Sequence, residues 1–176
     1  VGEAPVLFTV ATELRRKGLG TLFEAFRIIR ELVPEARLVV GGKAPAADIR
    51  ALAVQHRVGR EMRAVGFVED LRAAYSAADA LIFPTRFDPW GLPVIEAMAC
   101  GTPAAVSARA GAAIAVDAGV TGTKISDPAD PHIVARAAVE ALRMQVDRNA
   151  IRAAVKPFAW PTVVDDLESV VERTAR

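Results

Sequence analysis

The chain has 176 residues, 52% of them hydrophobic, which suits a single domain with a large core and excludes a disordered chain. Its 22 basic and 21 acidic side chains leave a net charge of +1, so no overall field recruits nucleic acid or an anionic membrane, and small-molecule partners are expected. One cysteine, Cys100, excludes an internal disulfide and a Cys-rich zinc site and suits a reducing cytoplasm, and no apolar run approaches the roughly 20 residues that span a bilayer.

Val6 to Val10 is a short apolar run that ends in a polar loop. The segment after it places Leu19, Leu22, Phe26, Ile29 and Val33 on one helical face. This strand-then-helix pattern repeats, with further strands predicted at 37–41, 63–66, 80–84, 103–107 and 122–126. Helical stretches fall between them near 46–57, 69–77, 91–100 and 111–117. Beyond Asp127-Pro128-Ala129-Asp130-Pro131 the pattern is helical: 131–145, a shorter piece at 148–155, and Trp160 to about Arg173. Continuous rather than alternating apolar strands are buried on both faces, hence parallel. The expected fold is α/β, a Rossmann-like doubly wound parallel sheet of about six strands with C-terminal helices, in a single domain over 1–176.

Ligands of such a sheet collect beyond the carboxyl ends of its strands. The loop after the first strand carries Lys17, the loop after the third carries Gly66, Phe67 and Val68, and the loop after the fourth carries Asp88 through Leu92. This last segment continues into Pro93-Val94-Ile95-Glu96-Ala97-Met98-Ala99-Cys100, so two carboxylates lie eight residues apart across a loop-to-helix junction. Pro89 and Pro93 restrict the backbone before and within the first helical turn, and Gly91 lets the chain turn tightly. First-turn N–H groups have no intrahelical acceptor, so Gly91 and Leu92 can donate to a phosphate at the positive end of the helix dipole. Glu96 has apolar neighbours in sequence, and a carboxylate drawn among them must be satisfied by donors such as sugar or ribose hydroxyls. The same pattern also fits an Asp88 that caps the helix and a Glu96 paired with a basic side chain.

The segment from Asp88 to Glu96 resembles the E-x7-E element of the retaining glycosyltransferases of family 4 in the GT-B class, with Asp88 in place of the usual first Glu. Val10-Ala11-Thr12-Glu13-Leu14-Arg15-Arg16-Lys17-Gly18 resembles the same family's loop after the first strand of the donor domain, in which a Lys before Gly binds the donor diphosphate. Thr12 stands where the family usually has Arg, leaving Arg15 or Arg16 to complete the basic clamp. Further segments match in order: Arg37 to Gly42, Val65 to Leu71, Ala77 to Pro84 and Gly119 to Gly122. The resemblance therefore runs over nearly the whole chain.

It implies the C-terminal, donor-binding half of a cytoplasmic, metal-independent hexosyltransferase that takes a nucleotide-diphosphate sugar as substrate and needs no further cofactor. Asp88 and Lys17 would be catalytic. Lys17 would hold the diphosphate with Arg16, Glu96 the ribose hydroxyls, the backbone of Gly66, Phe67 and Val68 the base edge, and Asp88 the sugar ring, with Trp90, Gly91 and Leu92 completing the donor site. No Asp-x-Asp pair lies near this site, so negative charge on the leaving group falls to Lys17 and the helix N–H groups. The partner it implies is an N-terminal acceptor half outside this chain, without which the chain transfers no sugar.

Three rivals remain. A stand-alone, non-catalytic nucleotide-sugar-binding or interaction module would use the same crevice. A glycoside hydrolase would use Asp88 and Glu96 across a sugar-wide groove, leaving the phosphate donors without purpose. A response-regulator-like domain needs an acidic pocket where only Glu13 is available. His56 and His132 lack companion ligands in sequence, Ser76 and Ser107 lack a nucleophile-elbow context, and Gly41-Gly42-Lys43 reads as a turn facing the cleft. Phe158 and Trp160 read as the anchor of the last helix against the core, a helix that should nonetheless expose some of Val163, Val164, Leu167, Val170 and Val171.

Overall fold

The computed structural model describes residues 4–145 and 147–174. Six parallel strands, β1 (Val6–Val10), β2 (Arg37–Gly41), β3 (Met62–Gly66), β4 (Ala80–Phe83), β5 (Ala104–Ser107) and β6 (Gly122–Ile125), form one sheet in the order β3-β2-β1-β4-β5-β6. The helices are α1 (Leu19–Leu32), α2 (Ala46–Gln55), α3 (Leu71–Ala77), α4 (Leu92–Ala99), α5 (Pro131–Arg143), α6 (Arg148–Ala154) and α7 (Trp160–Thr174). This is the doubly wound sheet expected of the apolar strands. Its order reverses between β1 and β4, where the two following loops leave the sheet in opposite directions.

Alternate residues of each strand feed opposite layers. Leu7, Leu38, Val40, Ile82 and Ala105 join Ile29 of α1 and Val134 of α5 in one core. Phe8, Leu81, Phe83 and Val106 join Tyr75 of α3 and Val94 and Met98 of α4 in the other. Asp70 and Asp130 start α3 and α5 by accepting first-turn N–H groups, at 2.9 Å from Ala73 N and 2.8 Å from His132 N. No described helix is long and apolar enough to cross a membrane.

Two expectations are corrected. The helix expected over 111–117 is a single 3-10 turn, Gly111–Ala115, because the backbone is extended at the buried Val116 (φ −93°, ψ 115°) and ends it there; Gly111 N donates to Asp88 O at 3.1 Å and Ala112 N to Trp90 O at 2.5 Å. Trp160 does not anchor the last helix, being 77% exposed, while Phe158 is partly buried edge-on against Trp90 at 5.2 Å. Phe158 takes the last packing place at the edge of the core, and extended backbone at Ala159 (φ −70°, ψ 142°) separates it from Trp160 at the start of α7. α7 buries no residue among those described, and Val164, Leu167, Val170 and Val171 are exposed along it, as expected.

The carboxyl ends of β1, β2 and β3 are stitched together at Gly42. Its N–H donates to Gly66 O at 2.8 Å, and Ala44 N reaches Ala11 O at 3.1 Å. Gly42 has φ +123°, and a Cβ there would lie 2.2 Å from Ala11 O. Gly119 also has positive φ, +83°, but nothing lies within 4 Å of its Cβ position. Gly42→Ala should therefore cost on the order of 2–4 kcal/mol and Gly119→Ala about 1 kcal/mol in urea unfolding. Equal costs would mean that torsional strain alone, without the backbone clash, sets the penalty.

Candidate functional site

The loops after β1 and β4 meet because small and polar groups let their backbones touch. Gly18, with φ +72°, sits where a Cβ would lie 2.2 Å from Pro84 O. Arg86 N donates to Arg16 O at 2.9 Å, and the buried Thr85 hydroxyl lies 3.0 Å from Arg16 O and 2.9 Å from Phe87 O, sharing one proton between two carbonyls. These contacts set Lys17 opposite Asp88.

Lys17 does reach the crevice, with only 8% of its side chain exposed. Its Nζ lies 2.5 Å from Asp88 Oδ2 and 4.5 Å from the centre of the Phe83 ring, a cation over an aromatic face. Arg16 Nη1 approaches the same Oδ2 at 3.5 Å and Phe87 O at 3.4 Å, while its Nε and Nη2 bond Glu13 Oε1 at 3.0 and 2.9 Å. The Glu13 bond is the main reason that the Arg16 pKa is raised further, with Asp88 adding to it, so the guanidinium stays charged. Asp88 Oδ1 accepts from Trp90 N at 3.2 Å. Asp88 is thus enclosed by donors and does not cap α4.

The α4 N-terminus is built as its residues suggest: Gly91 is left-handed with φ +101°, Pro93 lies in the first turn, and no side chain caps the helix. Glu96 differs from expectation. Its sequence neighbours Val94, Ala97 and Met98 turn into the core, whereas Glu96 is exposed and accepts a 2.8 Å hydrogen bond from the Tyr75 hydroxyl at Oε2. Helical geometry makes this necessary, since residues 94, 97 and 98 share one face and 96 lies off it. Its partner is neither an apolar shell nor a base but a buried phenol.

Of the predicted residues Gly66, Phe67, Val68 and Trp90, only Trp90 touches the ion-pair cluster, through its backbone N–H. Gly66 takes φ +72° at the end of β3, Phe67 is exposed, and Val68 contributes to an apolar groove of about 350 Å³ with Phe8, Val39 and Val65. Trp90 donates its backbone N–H to Asp88 while its ring packs on Phe158. Arg15 faces another groove with Leu52 and Arg86, so Arg16 rather than Arg15 joins Lys17. His56 and His132 line one open groove with Glu24 and Glu31, His56 Nδ1 lying 3.2 Å from Glu24 Oε1. Ser107 is buried with its Oγ accepting from Arg109 N, and Ser76 is exposed.

Sequence reasoning missed Thr85 and Tyr75. Thr85 carries no local signal. Tyr75 does: spacing with Leu71, Ala74 and Ala78 puts it on the inner face of its helix, and a buried phenol needs a partner.

A family model described as "Glycosyl transferases group 1" matches residues 1–157. The glycogen synthase of Mycobacterium tuberculosis is 31% identical over 92% of this chain and 41% of its own length. The mannosylfructose-phosphate synthase of Agrobacterium fabrum is 27% identical over 97% of this chain and 41% of its own. A solved sucrose-phosphate synthase from Thermosynechococcus elongatus superposes with a TM-score of 0.81 at 27% identity, covering 98% of this chain and 46% of that one. The chain thus spans less than half the length of each. With six strands in Rossmann order, a Lys-Gly loop facing an acidic loop across the sheet's reversal point, and a family match over most of its length, the chain belongs to the group 1 glycosyltransferases and has the fold of one half of a GT-B enzyme.

Proposed function

We propose that this chain is the donor-binding half of a retaining glycosyltransferase that takes a sugar from a nucleoside-diphosphate sugar. The observation that carries this reading is the Lys17–Asp88–Arg16 cluster beside the uncapped N-terminus of α4. Two cations face one carboxylate, with Glu13 at the exposed outer edge, and the helix adds unfilled donors at its positive end. A diphosphate fits that arrangement.

In the reaction the bond between the anomeric carbon and the phosphate oxygen breaks, and the departing nucleoside diphosphate gains negative charge. Lys17, Arg16 and the N–H groups at Gly91 and Leu92 stabilise that charge in place and need no reorganisation, which favours the transition state. Asp88 holds Lys17 in position before the donor arrives and then shares its ammonium with the phosphate, leaving a carboxylate oxygen to accept from the sugar ring. Glu96 accepts from the ribose hydroxyls, and the backbone of Gly66, Phe67 and Val68 meets the base. An acceptor half outside this chain closes the crevice, excludes water and positions the nucleophile. The exposed apolar stripe of α7 supports that reading.

Titration with UDP, GDP and ADP in the absence of added metal should shift the amide resonances of both loops. No shift at millimolar nucleotide would remove the donor site. Glu96→Gln keeps the shape but loses charge-assisted bonds worth roughly 1.5–3 kcal/mol each, so nucleotide affinity should fall at least about tenfold with stability retained. Lost stability with normal affinity would make Glu96 structural. With matched donor and acceptor, the chain alone should transfer no sugar and should gain activity when the acceptor half is supplied; robust transfer by the chain alone would overturn the half-enzyme reading and unchanged inactivity after mixing would favour a binding module.

A further inference from the structure

Tyr75 is the chain's only tyrosine, and its side chain lies in the core although it ends in a polar group. Its placement is held at three points. The ring meets Phe8 edge-on at 5.5 Å, the backbone carbonyl accepts from the buried Thr102 hydroxyl at 2.7 Å, and the phenol donates to Glu96 Oε2 at 2.8 Å. Thr102 follows α4, so the same residue pins α3 to the end of α4 and reaches back to a carboxylate in its second turn. Burial, and then the charge of Glu96, raises the phenol's pKa above its ordinary value, which keeps the proton on Tyr75 as a standing donor.

Glu96 by itself has no reason to be ordered. It is exposed on the helix surface, where a glutamate samples several rotamers. The Tyr75 bond removes that freedom from inside the core, and a neutral donor does so without cancelling the carboxylate's charge, as Lys or Arg would. Oε1 has no hydrogen-bond or ion-pair partner among the described residues.

We infer that Tyr75 is a positioning residue that locks the Glu96 carboxylate with Oε2 occupied and Oε1 open, so that it accepts a vicinal diol, the donor ribose, from a fixed direction. The inference rests on the donor-site reading of Glu96. Preorganisation of this kind raises affinity because the side chain is ordered before the ligand arrives.

The test compares UDP, ADP and GDP with their 2′,3′-dideoxy counterparts by calorimetry, in the wild type, Tyr75→Phe, Glu96→Gln and the double variant. Phenylalanine keeps the ring against Phe8. The wild type should prefer the ribonucleotide by about tenfold or more, and Tyr75→Phe should cut that preference at least about threefold, leave dideoxynucleotide affinity unchanged and add nothing in the Glu96→Gln background. Equal loss for both nucleotide types in Tyr75→Phe would make Tyr75 merely structural, and an undiminished preference would remove it from the site; either result overturns the inference while leaving the donor reading intact. A wild type that binds ribo- and dideoxynucleotides alike, or neither, would instead bring down the reading of Glu96 and this inference with it. Independently of any variant's folding, side-chain couplings in the ligand-free wild type should report a single Glu96 rotamer, and an averaged rotamer would also overturn it.

Discussion

The contact between Lys17 and Asp88 ties together the two loops that diverge at the sheet's reversal point, and the geometry of the crevice depends on it. An ammonium with 8% of its side chain exposed and a carboxylate with 13% are costly to desolvate. Neither can lose its partner without leaving an uncompensated charge, on the order of 3–5 kcal/mol for a fully buried pair. The pair is therefore stable only if the backbones carrying it stay in register. Gly18 against Pro84, Arg86 N on Arg16 O and the Thr85 proton between two carbonyls supply that register.

The site holds two acidic side chains in opposite environments, and the contrast defines their chemistry. Asp88 is surrounded by Lys17, Arg16 and the Trp90 N–H, so its charge is largely balanced before any ligand arrives. Glu96 meets one neutral donor and solvent. The first carboxylate organises two cations, which the proposed function assigns to phosphate, and the second is left with one neutral donor, which the proposed function assigns to hydroxyl groups. A pair of like carboxylates acting as acid and nucleophile, as in a glycoside hydrolase, would leave the Lys17 cluster unexplained.

The 3-10 turn at Gly111–Ala115 also belongs to this system. Its first two N–H groups bond the backbone of Asp88 and Trp90, and Arg109 O accepts from Asp88 N. Gly111 permits the approach, since a Cβ there would lie 2.3 Å from Pro89 O. The loop that carries the acid is thus clamped on one side by the β1 loop and on the other by the segment after β5. Phe158 then covers Trp90, which brings the C-terminal region into contact with the same loop. From that point α7 runs on with Val163 half-buried and Val164, Leu167, Val170 and Val171 exposed.

Parallel pairing and nearly every element boundary were legible in the sequence, because continuous apolar runs such as Val6 to Val10 and Leu81 to Phe83 specify burial on both faces, and only alternating helices provide it; the order of the six strands is set by the tertiary structure. Gly91 and the prolines at 89 and 93 likewise marked the start of α4, since backbone conformation is a local property. What local pattern could not decide was which side chains meet. Glu96 looked buried because its immediate neighbours are apolar, but 3.6 residues per turn rotate it away from them, toward a helix that sequence places about twenty residues upstream. Lys17 and Asp88 are separated by 71 residues, and either would read as a solvated surface charge alone. Their desolvation, the choice of Arg16 over Arg15 and the use of Tyr75 as the donor to Glu96 follow from packing two loops and two helices over one sheet, where distance through space, not along the chain, sets the electrostatic energy.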